Sequence, residues 1–286
     1  MTDTLAFKIT WRLIFYPALG YVFFSLVFFW LYAHPKRYIG SYEPKDFGFK
    51  PEAVTLKTSD GIDLDAWFIP HKTSKKVIVV CHGYPMDKGD VLGLTVFLAR
   101  EFNLLYFDFR ATGRSKGFFS TGGAREVRDI DAALEFLKAR GFSGAGAFGF
   151  SMGGAALLLS TNPAIKARVL DAPYADLAGE LDYIFRPWGL WRKPLIALMK
   201  GWSFLFMGVN INAVNPALSA AAVTTPILLV HGDADIQVPL VNSRRIKAAN
   251  PAAELWVVEG AGHGENWYRA GNEYEKRLKA FFNKNL

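Results

Sequence analysis

The chain holds a single cysteine, Cys81, among its 286 residues. An internal disulfide is therefore excluded, and the fold must rest on a packed core. That fits a reducing compartment without excluding an oxidising one, where many large domains also lack disulfides. No internal repeat or low-complexity stretch is present, so nothing points to a repeat architecture. No run of Lys and Arg interleaved with aromatics occurs either, and no nucleic-acid partner is implied. The formal charge is +7; residues 1–40 hold Lys8, Arg12, Lys36 and Arg37 against Asp3, or +3, which leaves +4 for the rest. That excess is small enough to be a solvated surface, with attraction to an anionic membrane the milder alternative. The length suits one large α/β domain or two small ones, with ample core.

Apolar residues make up 51% of the chain, with 24 Phe, and one segment accounts for part of the excess. Leu13 to Ala33 (LIFYPALGYVFFSLVFFWLYA) carries no charge. It is long enough to cross the hydrocarbon core as a helix. Arg12 bounds it on one side, and His34, Lys36 and Arg37 on the other. Trp11, Tyr16, Trp30 and Tyr32 stand near its ends, as an interfacial belt requires. Pro17 falls in the first turns, where it does little damage. A cleaved signal peptide would be shorter, with a small-residue site after it, and a buried core helix rarely lacks a polar face. We therefore expect residues 1–34 to be a tail and a single-pass transmembrane anchor. Cations flank it on both sides, so the positive-inside rule assigns the remaining domain to neither face.

Residues 35–51 contain three prolines and read as a linker. The runs Ala53 to Lys57 and Ile62 to Ile69 flank Ser59-Asp60-Gly61, a hairpin signal. Four apolar runs suit buried parallel strands: Val77 to Cys81, Leu104 to Phe109, Ile227 to Val230 and Leu255 to Val258. Val169-Leu170 is a shorter fifth, and Ala145 to Phe150 a sixth. Helical patterns lie between them, such as Val127, Ile130, Leu134 and Leu137, and a last helix places Tyr274, Leu278 and Phe281 on one face. The pattern predicts a mostly parallel sheet with an N-terminal antiparallel hairpin and helices on both faces, over residues 52–286. Residues 175–222 break the rhythm with Phe185, Trp188, Trp191, Trp202, Phe204 and Phe206 among Arg186, Arg192, Lys193 and Lys200. They follow the C-terminal end of a strand, where binding loops gather, and read as a helical cap over a pocket. Whether that cap also touches lipid is left open.

Gly149-Phe150-Ser151-Met152-Gly153 leads from an apolar strand into a buried helix that stops at Asn162-Pro163. This is the pattern of a nucleophile elbow, whose glycines allow strand and helix to pack closely around an exposed serine. A short pattern like this also arises by chance, so its partners decide its meaning. A serine hydroxyl needs a base, and the base needs an orienting carboxylate. Of five histidines, His34 and His71 lie outside the strand ends, and His231 suits a role in building its loop. His82 ends a strand where a structural hydrogen bond is expected of it. His263 lies in Gly260-Ala261-Gly262-His263-Gly264, just past the last strand. The acid should end the preceding strand, in His231 to Pro239. Asp235 is the candidate; Asp233 suits a turn hydrogen bond, and Asp171 is the runner-up. The oxyanion requires two backbone N–H donors, for which we select Met152 and Tyr84. Pro85 has no N–H to give, and Cys81 reads as inert core.

These motifs resemble the α/β-hydrolase superfamily, in its serine aminopeptidase-like or lysophospholipase-like group, some of whose members carry an N-terminal membrane anchor. The resemblance runs from about Ala53 to the C-terminus. It rests on His82-Gly83, on Asp108 to Ser115, on the elbow, on His231 to Asp235 with Val238-Pro239, and on Gly262-His263. The order Ser151, Asp235, His263 is that of this family and differs from trypsin-like and subtilisin-like enzymes. One position departs: the family stretch Asp-x-Arg-Gly-x-Gly-x-Ser has Ala111 at its first Gly, at a cost on the order of 1 kcal/mol if φ is positive there. The expected protein is a membrane-anchored serine hydrolase acting on a small acyl ester, thioester or lipid-like substrate, with no metal or organic cofactor. An aminopeptidase-like amide hydrolase and a non-catalytic, membrane-tethered binding protein of the same fold are the alternatives.

Overall fold

The computed structural model describes the backbone of residues 2–286 and the side chains of residues 10–286. Helix α1 (Thr2–Ala33) comes first, followed by strands β1 (Glu52–Lys57), β2 (Asp63–Ile69) and β3 (Val77–Cys81). After the short α2 (Leu92–Thr95), strands alternate with helices: β4 (Asn103–Phe107), α3 (Glu126–Ala139), β5 (Ala145–Phe150), α4 (Met152–Leu159) and β6 (Ile165–Asp171). Helices α5 (Leu177–Ile184), α6 (Arg192–Met207) and α7 (Pro216–Ala220) follow, in the segment expected to form a cap. The chain closes with β7 (Ile227–Gly232), α8 (Val241–Ala249), β8 (Glu254–Val258), α9 (Asn266–Ala270) and α10 (Asn272–Asn285).

One eight-stranded sheet runs β1-β2-β4-β3-β5-β6-β7-β8. The β1–β2 and β2–β4 pairs are antiparallel, and every later pair is parallel. Strands covered on both faces need no polar side, which is why β3, β4, β5 and β7 are apolar runs. The strand period of two then sorts them: Val77, Val79 and Cys81 face one core and Ile78 and Val80 the other. Helices α3, α4 and α8 cover the first face, and α10 covers the second through Tyr274, Leu278, Phe281 and Phe282.

Three strands differ from the sequence pattern. β6 is seven residues long because Lys166 points outward and Arg168 is buried, so polar residues interrupt what is otherwise core. The Arg168 guanidinium donates to the carbonyls of Leu157 (3.1 Å) and Ser160 (3.2 Å) at the end of α4. β4 ends at Phe107, because the Asp108 carboxylate accepts the Lys88 and Arg114 amides (2.8 Å each) and turns the chain. β8 is an edge strand and only half-buried, with Trp256 lying under the Arg277 guanidinium.

Thr10–Ala33 of α1 has a mean hydropathy of 1.9 and is long and apolar enough to cross a membrane. Residues 10–20 are exposed all round. From Tyr21 onward one side packs against the cap, with Phe29 and Ala33 buried among Leu181, Phe185, Leu195, Ile196 and Met199. The following segment, residues 34–51, is extended apart from a single turn of 3-10 helix at Pro44–Phe47. Arg37 fastens it by donating to the Ser115 and Gly117 carbonyls.

Candidate active site

Ser151 sits between β5 and α4 with φ 50° and ψ −114°. A non-glycine residue in that region is strained, and such strain at a strand-to-helix turn is what lifts a side chain clear of the sheet. The turn is tight enough to dictate its flanks. A Cβ on Gly149 would lie 2.5 Å from the Gly154 nitrogen, and one on Gly153 would lie 2.4 Å from the Cys81 carbonyl oxygen. Both would collide with backbone, so only glycine fits.

His263 follows β8 in a loop that brings its ring against Phe150, with centroids 4.9 Å apart. Its Nδ1 donates to Asp235 Oδ2 at 2.7 Å. Asp235 is fixed in turn, since its Oδ1 accepts the Gln237 (2.9 Å) and Val238 (2.8 Å) amides. Burial pushes the Asp235 carboxyl up, but the neighbouring His231 and His263 nitrogens and the Val238 amide outweigh it and hold it well below the usual carboxylate range. Ser151 and His263 both line one cavity.

The other candidates are occupied elsewhere. Asp171 accepts from Asn266 Nδ2 and Tyr274 OH, each at 2.7 Å, which ties β6 to the last two helices. Asp233 accepts the Gly260 amide at 2.7 Å. His231 donates from Nε2 to the Val238 carbonyl and accepts at Nδ1 from Ser243 Oγ, both at 2.7 Å, so it braces the Asp235 loop from beneath. His82 donates from Nδ1 to the Gly83 carbonyl (2.6 Å) and accepts the Phe109 amide at Nε2 (2.9 Å). Burial holds its pKa below the ordinary imidazole value. His71 accepts the Ser74 amide (2.9 Å), and His34 donates to the Phe118 carbonyl (2.7 Å).

Tyr84 and Met152 line the same cavity as Ser151. Met152 is the first residue of α4, and the first amides of a helix have no partner within it. Close by, Asp108 to Ser115 builds a scaffold. Lys88 Nζ bonds Asp108 (2.7 Å), and Arg110 bridges Asp129 (2.7 Å) and Asp60 (2.8 Å). Within it Ala111 has φ 63° and is buried, so the strain foreseen for an alanine at that position is present.

The cavity holds about 360 Å³ and is mostly apolar. Two of its contributors carry no signal in the sequence. Phe29, Tyr32 and Ala33 bring the end of α1 to the cavity wall. Glu180 of α5 also faces it, 8% exposed, with no hydrogen-bond partner for Oε2 among the described residues. Burial, then the charges of Asp235 and Asp176, push its carboxyl up to about 7. No group of three or more His, Cys, Asp or Glu side chains suited to a metal ion occurs among the described residues.

An eight-stranded, mostly parallel sheet with a serine at a strained strand-to-helix turn, and an aspartate-bonded histidine after the last strand, defines the α/β-hydrolase class. A model of the alpha/beta hydrolase family matches residues 78–274, and the chain belongs to that family. It is similar to the uncharacterized protein Rv2307c of Mycobacterium tuberculosis, with 30% identity over 220 residues, 74% of this chain and 72% of that one. It is also similar to the uncharacterized protein YfhR of Escherichia coli K12, with 26% identity, covering 93% and 94% of the two chains. Among solved structures it resembles the Pyrococcus furiosus esterase Pf2001, with a TM-score of 0.73 and 28% identity over 88% of this chain and 97% of that one.

Proposed function

We propose that this α/β hydrolase is a serine hydrolase, held to a membrane by α1, that cleaves a carboxylic ester with an apolar acyl group. The observation that carries the proposal is the 2.7 Å His263–Asp235 bond at a cavity also lined by the strained Ser151. Likeness to an esterase at 28% identity and the apolar lining favour an ester over a charged substrate.

In this reading His263 Nε2 takes the Ser151 hydroxyl proton as Oγ attacks the acyl carbonyl carbon. The oxyanion is met by the Met152 and Tyr84 N–H groups. Collapse breaks the ester C–O bond, and the alcohol leaves with the proton from His263. Water then attacks the acyl-enzyme, giving up a proton to His263, and the carboxylic acid departs as Ser151 recovers its hydrogen. Asp235 keeps its charge throughout and holds Nδ1–H, so that Nε2 is the basic nitrogen. Membrane attachment is supported by the apolar length of α1 and by its buried contacts with the cap, which a cleaved leader would not keep.

The test is covalent labelling by a fluorophosphonate at neutral pH. Labelling of the wild type and its loss in Ser151→Ala is the expected result. A wild-type chain that stays unlabelled and hydrolyses no p-nitrophenyl ester sinks the proposal.

A further inference from the structure

The end of α1 is a wall of the cavity and also the end of the apolar span. Phe29, Tyr32 and Ala33 line the space shared by Ser151 and His263. Tyr84, whose amide is assigned to the oxyanion, donates its hydroxyl to the Tyr32 carbonyl at 2.8 Å. Trp202 Nε1 donates to Ser25 Oγ at 2.9 Å, which registers α6 along α1.

Lengths show where lipid must reach. At about 1.5 Å per residue, the fully exposed stretch 10–20 spans roughly 16 Å, about half of a hydrocarbon core of roughly 30 Å. If α1 crosses a bilayer, the hydrocarbon must therefore continue along residues 21–33, where α1 is bound to the cap. The cap surface there suits that depth. Trp188 packs against Phe28 (5.3 Å between centroids), and Phe206 stacks on Phe29 (5.9 Å). Beside them Leu190, Trp191, Phe204 and Leu205 are 82%, 71%, 67% and 68% exposed. An apolar collar of this kind is foreign to a water-facing surface. Its cations are exposed on long stems, as with Lys193, or paired, as Arg192 is with Asp182 (2.8 Å), and such stems extend to lipid phosphates.

We infer that the cap and the end of α1 enter the leaflet together, and that the cavity takes its substrate, an ester of a long acyl chain, directly from the bilayer. This rests on the serine-hydrolase reading above. The arrangement has a physical benefit. Drawing an acyl chain from lipid into water loses roughly fourfold in equilibrium per methylene, and a pocket walled by the membrane helix avoids that step.

The experiment uses the full chain in nanodiscs of phosphatidylcholine and phosphatidylglycerol. It compares p-nitrophenyl palmitate dissolved in the discs with water-soluble p-nitrophenyl acetate. In the double variant Trp191→Glu, Leu205→Glu, palmitate turnover falls at least about tenfold, while acetate turnover and fluorophosphonate labelling stay within about twofold of wild type. Palmitate turnover equal to wild type overturns the inference, and so does a parallel loss of both substrates. A wild-type chain that neither labels nor turns over acetate overturns the hydrolase reading itself. As a second arm, Phe29→Ala enlarges the wall and shifts the preferred chain length upward; an unchanged chain-length profile counts against α1 as part of the pocket.

Discussion

Asp235 holds two backbone amides on one oxygen and His263 on the other, so its role can be separated from its charge. An asparagine there keeps the size but turns an amide donor toward one of these partners. His263 is then driven to carry its proton on Nε2, where it cannot accept one from Ser151. Asp235→Asn should lower kcat by roughly 10³–10⁴ with little change in KM, measured by steady-state hydrolysis of a p-nitrophenyl ester. Glu180 is the opposite case, a carboxyl that the fold keeps partly protonated. Its pKa is raised from 4.5 to about 7 in the folded chain, so the folded state binds the proton more tightly than the unfolded state. The stability it contributes is complete below about pH 4.5 and is lost as pH rises through 7. Glu180→Gln should therefore leave the melting temperature nearly unchanged at pH 4. At pH 8 it should raise stability by on the order of 1–3 kcal/mol, and a denaturant series at the two pH values reads the difference. Ser151, Asp235 and His263 stand out as candidates because each borders a strand whose apolar run is visible in the sequence. Glu180 does not. In the first turn of α5 a glutamate fits the helix dipole on an exposed face, and only the fold buries it at the cavity.

At the scale of elements, β5, the elbow and α4 were legible because close packing leaves its mark as Gly149 and Gly153, whose substitution would drive a Cβ into backbone. β6 was legible only at Val169-Leu170, and its central Arg168 shows why. The residue is buried, yet it is charged because it satisfies carbonyls at the end of α4, a demand set by an element that the strand's own sequence does not reveal. No carboxylate accompanies it among the described residues, and burial pulls its pKa down to about 10. Arg168→Met keeps most of the stem and removes the donors. With two partly buried carbonyls left unpaired, a loss of about 2–4 kcal/mol is expected, seen as a lower urea midpoint with unchanged slope. A variant as stable as wild type would show that water replaces the guanidinium at no cost. β8 illustrates the same limit from the other side. Its apolar residues read as a buried strand, whereas its position at the sheet edge follows from the order of strands, which no single segment encodes.

For the whole molecule, the question is whether α1 belongs to the working protein. The sequence made the helix visible through its uncharged length, but its contacts with the cap depend on residues about 150–180 positions away and were not visible. Those contacts bear on its fate. Removing residues 2–33 would uncover Leu181, Phe185, Leu195, Ile196 and Met199, a cluster now closed by Phe29 and Ala33. It would also open one wall of the cavity. A chain that shed α1 as a leader would thus present an apolar patch to water next to its own active site, a liability for solubility. An anchor that stays in place would remove that liability, because the helix that closes the cluster would also carry it into lipid. We therefore expect the expressed full-length chain to sediment with membranes and to remain there after an alkaline carbonate wash, with its N-terminal residues still present by intact-mass measurement. Electrostatic adhesion through the modest positive charge would instead be reversed by salt and carbonate, since surface attraction is screened within about 10 Å at 0.1 M ionic strength. Release of the intact chain by the wash would reduce α1 to a surface-bound segment, and a mass lacking that helix would identify it as a leader.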